Sequence, residues 1–222
     1  MMPTVLGVST WNEIQRRIWD CDLCVDNKRV ACNIRQQTEA PVRPVKLILI
    51  GVAPPYVKNI QTKAVAKSAI NDPKDNLRTF VQTALSCPWE TLLERGLYLI
   101  HGVKCAIVPE NRHQNPPTDV IDACAPPHFV QEILITRPST VVVFGKAPFR
   151  ALLRVPDVRP SLPQGLNLSC SVARLVDTTT GGLEVNANNW HFRLYGSPFP
   201  LQAQKQSAEI LREAAREAGV LF

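Results

Sequence analysis

The sequence predicts an α/β fold, specifically a three-layer α/β/α sandwich around a four-stranded parallel sheet. Short, largely apolar runs bounded by glycine and proline are typical of strands that are buried on both faces. Segments with helical periodicity alternate with these runs, and this alternation favours a parallel sheet with helices on both sides. The four predicted strands are residues 45–50, 97–101, 140–144 and 190–195.

Five helical segments are predicted around these strands. The pair Ser9-Thr10 is typical of an N-cap, because Glu13 follows Thr10 by three residues. The second helix is interrupted near Pro88, and the third is expected to be capped by Thr118 and to break at the prolines 126 and 127. The predicted helices cover 10–19, 76–95, 118–134, 148–153 and 201–218. The segments 25–45 and 58–76 are expected to be loops, and 155–188 an irregular region or a weak hairpin.

The composition is that of a globular protein in a reducing compartment. The 222 residues include seven cysteines, an odd number that argues against a disulfide scaffold. No apolar run approaches the roughly 18–20 residues that span a bilayer, and no secretory signal is visible. We therefore expect a cytoplasmic, monomeric protein in one domain, residues 1–222, without membrane association. The net charge of +6 permits a polyanionic partner.

Four cysteines are spaced in a way that suits a shared metal centre. Cys21 and Cys24 form a CxxC pair, which presents two sulfurs to one centre from a single turn. Cys105 and Cys124 are too far apart in sequence for a second such pair, so a compact zinc ribbon fits poorly. Four thiolates suit either zinc or an iron–sulfur cluster, and by spacing alone reduced buried thiols stay equally open. The remaining cysteines, expected to be ordinary buried thiols, are Cys32, Cys87 and Cys170.

The polar chemistry of the predicted sheet collects at the carboxyl ends of its strands. In a parallel sheet these ends meet at one edge, and ligands bind in the crevice beyond it. We place the active site at this edge, which we call the rim. The four segments that form the rim are 51–55, His101, Gly145-Lys146 and 195–200.

Several segments resemble motifs of the uracil-DNA glycosylase superfamily. Residues 47–55 (LILIGVAPP) are similar to its first motif, and residues 138–147 (PSTVVVFGKA) to its third strand with the following turn. The middle of its iron–sulfur (family 4/5-like) members resembles Val103-Lys104-Cys105 with Asn111-Arg112 and Cys124. Its last motif, usually His-Pro-Ser, corresponds to Tyr195-Gly196-Ser197-Pro198.

This resemblance, which covers most of residues 9–218, implies an activity and a cofactor. It implies a single uracil-DNA glycosylase-like domain that hydrolyses the N-glycosidic bond of uracil in base-excision repair. The partner is then DNA that contains uracil or another deaminated base. The four cluster ligands of the iron–sulfur branch match Cys21, Cys24, Cys105 and Cys124, and this favours a [4Fe–4S] cluster over zinc.

The departures from the family's motifs fall on its catalytic positions. Val52 and Ala53 stand where relatives carry an acidic or amide residue. His101 replaces the asparagine that reads uracil, and Tyr195 replaces the last histidine, so the family's usual roles cannot be transferred. We expect His101 to donate a hydrogen bond to the departing uracil anion, assisted by backbone groups of Gly51, Val52 and Ala53.

Further site residues follow from the resemblance and from their position. Phe80 resembles the aromatic residue that stacks on the base, and Tyr195 is expected to contact it. Phe199 and Leu201 are expected to wedge into the duplex as the base flips out, and Lys146 and Ser197 to contact DNA. The loop carboxylates that could approach the rim are Glu39, Asp72 and Asp75.

Two other functions stay open on the sequence. The chain could be a DNA-binding relative that has lost glycosidic chemistry, because the family's acidic and histidine residues are replaced. It could also be a glycosylase for another deaminated base such as hypoxanthine, because His101 replaces the amide that reads the edge of uracil.

Overall fold

The structure, a computed structural model, describes residues 10–109, 115–187, 189–200 and 203–221. Its strands are β1 (Val30–Arg35), β2 (Leu47–Gly51), β3 (Ala64–Val65), β4 (Leu97–His101), β5 (Cys105–Ile107), β6 (Thr140–Phe144), β7 (Leu183–Ala187) and β8 (Trp190–Ser197). Its α-helices are α1 (Trp11–Asp20), α2 (Asn76–Leu85), α3 (Trp89–Glu94), α4 (Thr118–Cys124), α5 (Val130–Thr136), α6 (Lys146–Leu152), α7 (Val172–Thr178) and α8 (Gln204–Glu217).

The strands form two sheets. The larger sheet has the order β4-β2-β6-β8-β7, and its first four strands are parallel. These are the four strands predicted from the sequence, so the parallel core of the fold is confirmed. The smaller sheet has the order β3-β1-β5 and lies outside that prediction.

The prediction of only four strands in the main sheet is wrong, because β7 adds a fifth. It pairs antiparallel with β8 at the edge of the sheet. Val185 and Ala187 are buried, whereas Glu184 and Asn186 are exposed. This alternation is typical of an edge strand with one solvated face, and it is weaker as a sequence signal than a continuous apolar run.

Helices cover both faces of the main sheet, which confirms the three-layer prediction. Ile48 and Ile50 of β2 pack in one core cluster, whereas Leu47 and Leu49 pack in another. Successive side chains of a strand point to opposite faces, so the two clusters lie on opposite sides. The first cluster receives side chains of α1, α4, α5, α6 and α7, and the second those of α2, α3 and α8.

The predicted helix boundaries are partly confirmed. Thr10 and Glu13 form a reciprocal capping box at the start of α1, and Pro88 separates α2 from α3. The expected break at the prolines 126 and 127 is wrong. A π-helical turn, Ala125–Phe129, continues the chain from α4 into α5, since a wider turn accommodates proline rings that an α-helical turn would exclude.

All three segments predicted to be loops or irregular contain regular structure, and 58–76 includes the short strand β3. The segment 25–45 includes β1, whose middle residues are only half-buried, so its apolar pattern is interrupted. The irregular region 155–188 includes α7, which is seven residues long and capped by Ser171. Within the described residues, no helix is both long and apolar enough to cross a membrane.

Candidate active site at the carboxyl rim of the sheet

The four parallel strands end at one rim, as the sequence predicts. Gly51 at the end of β2 is in register with His101 at the end of β4. In the other pair of parallel strands, Phe144 at the end of β6 is in register with Ser197 at the end of β8. The N–H of Gly145 donates to the carbonyl of Ser197 over 2.8 Å, which joins the last two turns of the rim.

The imidazole of His101 lies directly over Gly51. A Cβ atom at position 51 would approach Cδ2 of His101 to 2.8 Å and its Nε2 to 3.2 Å. Real Cβ atoms essentially never come as close as 2.8 Å to a neighbouring atom. The missing side chain of Gly51 therefore provides the space that the ring occupies.

The turn that follows His101 is fixed to the first motif by backbone hydrogen bonds. The N–H of Gly102 donates to the carbonyl of Gly51 over 3.0 Å, and the N–H of Val103 donates to that of Val52 over 3.1 Å. These bonds extend the pairing of β2 and β4 beyond the strands. They hold His101, Val52 and Ala53 in one small part of the rim.

His101 is a neutral imidazole at physiological pH. Its side chain is buried, and burial together with the nearby Lys104 charge lowers the pKa of His101 to about 3. Its Nδ1 atom is buried and has no hydrogen-bond partner among the described residues. A neutral imidazole carries one N–H donor and one acceptor nitrogen, so His101 can donate to an anionic group without carrying a charge itself.

The two aromatic residues predicted to contact the base pack in the second core cluster. Tyr195 is in register with Val142, two residues before the end of β8. An added Cβ at Gly182 would lie 2.7 Å from its hydroxyl oxygen, so Tyr195 reaches towards β7. Phe80 of α2 is half-buried against the same core cluster as Tyr195. In the sheet order, β2 and β6 separate Tyr195 of β8 from His101 of β4, whereas the role of Phe80 stays a prediction.

The residues predicted to contact DNA differ in their exposure. Lys146 is exposed at the first position of α6, directly after the rim glycine. Ser197 is fully buried and its hydroxyl donates to the carbonyl of Pro198 over 3.0 Å, so its side chain is not accessible to a DNA strand. Phe199 is half-buried against the second core cluster. Leu201 and the Asn111-Arg112 motif lie outside the described residues.

The candidate carboxylates have other partners or positions. The side chain of Asp75 accepts from the N–H groups of Leu77 and Arg78 and caps α2. Asp72 accepts from the N–H of Lys74 over 2.9 Å. Glu39 lines a cavity of about 860 Å³. Val45 lines the same cavity and precedes β2, so this part of the cavity lies at the end of the sheet opposite the rim. None of these three placements brings a carboxylate to His101.

Five cysteine side chains converge on one small cavity. The cavity is lined by the four predicted ligands and also by Cys32 of β1, which the sequence interpretation treated as an ordinary thiol. The N–H of Lys104 points at the sulfur of Cys124 over 3.4 Å. The predicted ligands that line this cavity, brought together from three separate segments of the chain, are Cys21, Cys24, Cys105 and Cys124.

The sulfur atoms of this cavity are suitable metal ligands, but the cavity is too small for a metal cluster. Its volume is about 10 Å³, which is room for about one water molecule. Among the described residues, no three histidine, cysteine or carboxylate side chains are close enough to bind one metal ion. The sulfurs therefore have to rearrange, and the cavity has to widen, before they could bind a shared metal centre.

Three thiols of the cavity, those of Cys24, Cys105 and Cys124, have raised pKa values and are protonated at neutral pH in this arrangement. Burial raises the pKa of Cys24 to about 11 and that of Cys124 to about 12. The Cys105 thiol donates a hydrogen bond to the sulfur of Cys32, which raises the pKa of Cys105 and lowers that of Cys32 to about 7. Because metals bind thiolates, loading this cavity would release protons.

A buried polar network beside His101 was missed by the sequence interpretation. It consists of Gln36, Lys104 and Glu132, whose side chains are almost completely inaccessible to solvent. One signal was available: Glu132 adjoins Ile133, which the helical pattern already placed inward. An acidic residue beside a core position suggests a buried partner, but the identity of that partner depends on the tertiary fold.

Ligands of open α/β sheets bind beyond the carboxyl ends of the strands, and the buried, neutral imidazole of His101 lies at this edge. The model of the uracil DNA glycosylase superfamily matches residues 39–217. The chain therefore belongs to the uracil DNA glycosylase superfamily. No curated protein matches the chain.

This membership indicates DNA glycosylase activity on uracil or another damaged base, with DNA as the substrate, because members are generally N-glycosylases. The family match identifies the superfamily and not a branch within it. Cys21 and Cys24 precede the matched residues, so the match says nothing about the predicted cluster.

Proposed function

We propose that this protein is a uracil-DNA glycosylase that leaves an abasic site for base-excision repair. The observation that carries the proposal is the neutral His101 ring, held over Gly51 at the rim of the parallel sheet. A hydrogen-bond donor that is shielded from water in this position suits a reaction in which negative charge develops on a departing base.

The chemistry follows from the charges of the transition state. Cleavage of the N-glycosidic bond leaves positive charge on the sugar and negative charge on uracil. Water then adds to the sugar and loses a proton, and one proton neutralises the released uracil anion. The N–H of the neutral His101 ring donates to a uracil oxygen as that oxygen becomes anionic. Backbone N–H groups at 51–53 add to the same stabilisation. A donor of this kind is worth roughly 10²–10⁴ in rate.

Positions 52 and 53 carry no carboxylate, and this limits which step of the reaction the protein can accelerate. Since Val52 and Ala53 have apolar side chains, they cannot activate water as an acidic residue would. We infer that bond cleavage runs ahead of water attack, so that stabilising the leaving base matters most. Of the residues assigned to DNA, we place Lys146 on a backbone phosphate, where its exposure at the rim allows contact.

The activity test is uracil release from a labelled oligonucleotide under single-turnover conditions, followed by alkaline cleavage at abasic sites. We expect His101→Ala to reduce the rate by about 10²–10⁴-fold. His191→Ala is the matched control, because His191 is an exposed histidine on β8 that pairs with Glu184. Equal rates for His101→Ala and the wild-type protein would remove His101 from this role.

The same assay separates the two other candidate functions. A wild-type protein that binds uracil-containing DNA but produces no alkali-sensitive sites would be a non-catalytic DNA-binding relative. Replacement of the uracil-reading asparagine by His101 favours a broader choice of base, so oligonucleotides that contain hypoxanthine are tested in parallel. Faster release of hypoxanthine than of uracil would reassign the substrate.

We further propose a [4Fe–4S] cluster held by Cys21, Cys24, Cys105 and Cys124, with zinc as the less favoured metal. The convergence of these sulfurs on one cavity supports it, although the cavity must open to accept a cluster. Such a cluster would tie the N-terminal helix to the 105–124 segment, and we give it a structural role only.

Iron and sulfide content of anaerobically purified protein tests this cofactor. We expect a brown protein with about four irons per chain. Cys105→Ser is expected to lose the iron, whereas Cys87→Ser, which changes a cysteine outside the cavity lining, is expected to keep it. A colourless protein with one zinc per chain would contradict the cluster.

A further inference from the structure

Two side chains hold the main chain of His101 from the side opposite β2. The ammonium group of Lys104 donates to the carbonyl of His101 over 2.6 Å. The side-chain oxygen of Gln36 accepts from the N–H of His101 over 3.3 Å. Because β4 is the edge strand of the main sheet, these side chains take the place that a neighbouring strand would have.

The two side chains are also joined to each other. The ammonium group of Lys104 lies 3.4 Å from the side-chain oxygen of Gln36, and the backbone N–H of Gln36 donates to the carbonyl of Lys104 over 2.7 Å. The His101 main chain, Gln36 and Lys104 therefore form one closed hydrogen-bonded group. Each member therefore restrains the position of the other two.

The charge of Lys104 is balanced by Glu132 in the interior. The two side chains form an ion pair although only 1% of the Lys104 side chain and none of that of Glu132 is exposed. Glu132 also accepts from the side-chain amide of Gln15 over 2.9 Å. Gln15 belongs to α1 and Glu132 to α5, so the pair connects both helices with the turn that follows His101.

A buried ion pair is not required for stability. Desolvation costs several kcal/mol for each ion, and apolar residues of similar volume are often as stabilising or more so. What the pair supplies here is a strong hydrogen bond, because a charged ammonium group binds the His101 carbonyl more strongly than a neutral donor would.

We propose that Lys104 and Gln36 are positioning residues, which fix the main chain of His101 and thereby place its ring over Gly51 for the departing base. This inference rests on the proposed function for its kinetic consequence. Neither residue is assigned contact with the substrate, so their effect on the reaction passes through His101.

The first test replaces both charges at once, because removal of one alone would leave an unpaired buried ion. In K104M/E132M we expect single-turnover uracil release to fall by about 10²-fold, as a small misplacement of a catalytic group costs. The Kd for uracil-containing DNA should stay within about twofold. In a His101→Ala background the same double substitution should have no further effect on the rate.

The matched control is D122N/R150Q, which removes a partly exposed ion pair between α4 and α6 together with the pairing of Asp122 with Arg154, and it should leave the rate unchanged. A loss of rate that is equally large in the His101→Ala background would overturn the inference. If K104M/E132M does not fold, Gln36→Met takes its place, because it removes the acceptor shared by His101 and Lys104 at nearly constant volume.

A second readout does not depend on glycosylase activity. The ring nitrogens of ¹⁵N-labelled His101 report its environment by NMR, with assignment from the spectrum of His101→Ala. We expect Gln36→Met and K104M/E132M to shift these signals and D122N/R150Q to leave them in place. Unchanged ring signals would overturn the positioning role even if the wild-type protein released no uracil, whereas the absence of uracil release by itself would overturn only the proposed function.

Discussion

At the scale of single residues, the geometry of the candidate site depends on the contact between His101 and Gly51. The ring and the glycine come from adjacent strands in register, so the backbone alone determines that they meet. The sequence shows both residues at strand ends. It does not show that the ring lies over the glycine, because ring orientation depends on the surrounding side chains.

We predict that Gly51→Ala displaces the His101 ring. The new Cβ would lie 2.8 Å from Cδ2 of a ring that is buried and cannot swing into solvent, and overpacking of this kind costs about 1–3 kcal/mol. Urea unfolding measures the loss, and uracil release should fall by about 10²-fold. In a His101→Ala background the substitution should be nearly neutral for stability, and an undiminished cost there would contradict the contact.

The lowered pKa of His101 predicts a pH profile without a histidine titration. A group with a folded-state pKa of about 3 is neutral throughout the range in which a free histidine, with a pKa near 6.5, gains its proton. The single-turnover rate should therefore not change through protonation of His101 between pH 8 and pH 5. A rate that follows an ionisation near pH 6.5, and loses that dependence in His101→Ala, would show that the ring is hydrated.

At the scale of secondary-structure elements, the buried strands were the most predictable part of the fold. The residues of β2, β4 and β6 are apolar almost throughout, because both of their faces are covered by helices. β1 and β7 are half-buried and have interrupted patterns, so the same criterion missed them. The π-helical turn was missed for a different reason, since prolines were expected to end a helix and not to widen it.

The candidate site was predictable to the extent that it depends on strand ends. The convergence of four turns follows from parallel pairing alone, and the cysteines line one cavity as their spacing suggested. The contribution of Cys32 and the ion pair of Lys104 with Glu132 depend on contacts between β1, the β4–β5 turn and α5. Such contacts join residues distant in sequence and leave no local pattern.

The cap of α2 gives a prediction that separates a structural from a catalytic carboxylate. Asp75 accepts from the N–H groups of Leu77 and Arg78, and loss of an N-cap costs about 1 kcal/mol. Asp75→Ala should lower the free energy of unfolding by that amount, whereas Asp75→Asn keeps a capping oxygen and should be close to neutral. Uracil release by Asp75→Asn should equal that of the wild-type protein, and a large loss would instead make Asp75 a candidate for water activation.

At the scale of the whole molecule, the parallel sheet gives the protein two chemically different ends. His101 and Lys146 lie at the carboxyl ends of the strands, whereas the turns that precede the strands lie at the opposite end of the sheet. Arg137 precedes β6 and Lys146 follows it, so these two exposed cations lie at opposite ends of one strand. The net charge of +6 attracts DNA to the molecule in general and does not by itself select an end.

If DNA binds at the rim, the two cations flanking β6 should contribute differently. A lysine that contacts one phosphate releases about one counterion, so Lys146→Gln should lower the slope of log Kd against log salt by about 0.9. The weakening should be the same for DNA with and without uracil, because a phosphate contact carries no base information. Arg137→Gln removes the same charge from the opposite end and should leave the slope unchanged. Titrations by fluorescence anisotropy between 50 and 200 mM salt measure both variants, and equal slopes for the two would place the DNA away from the rim.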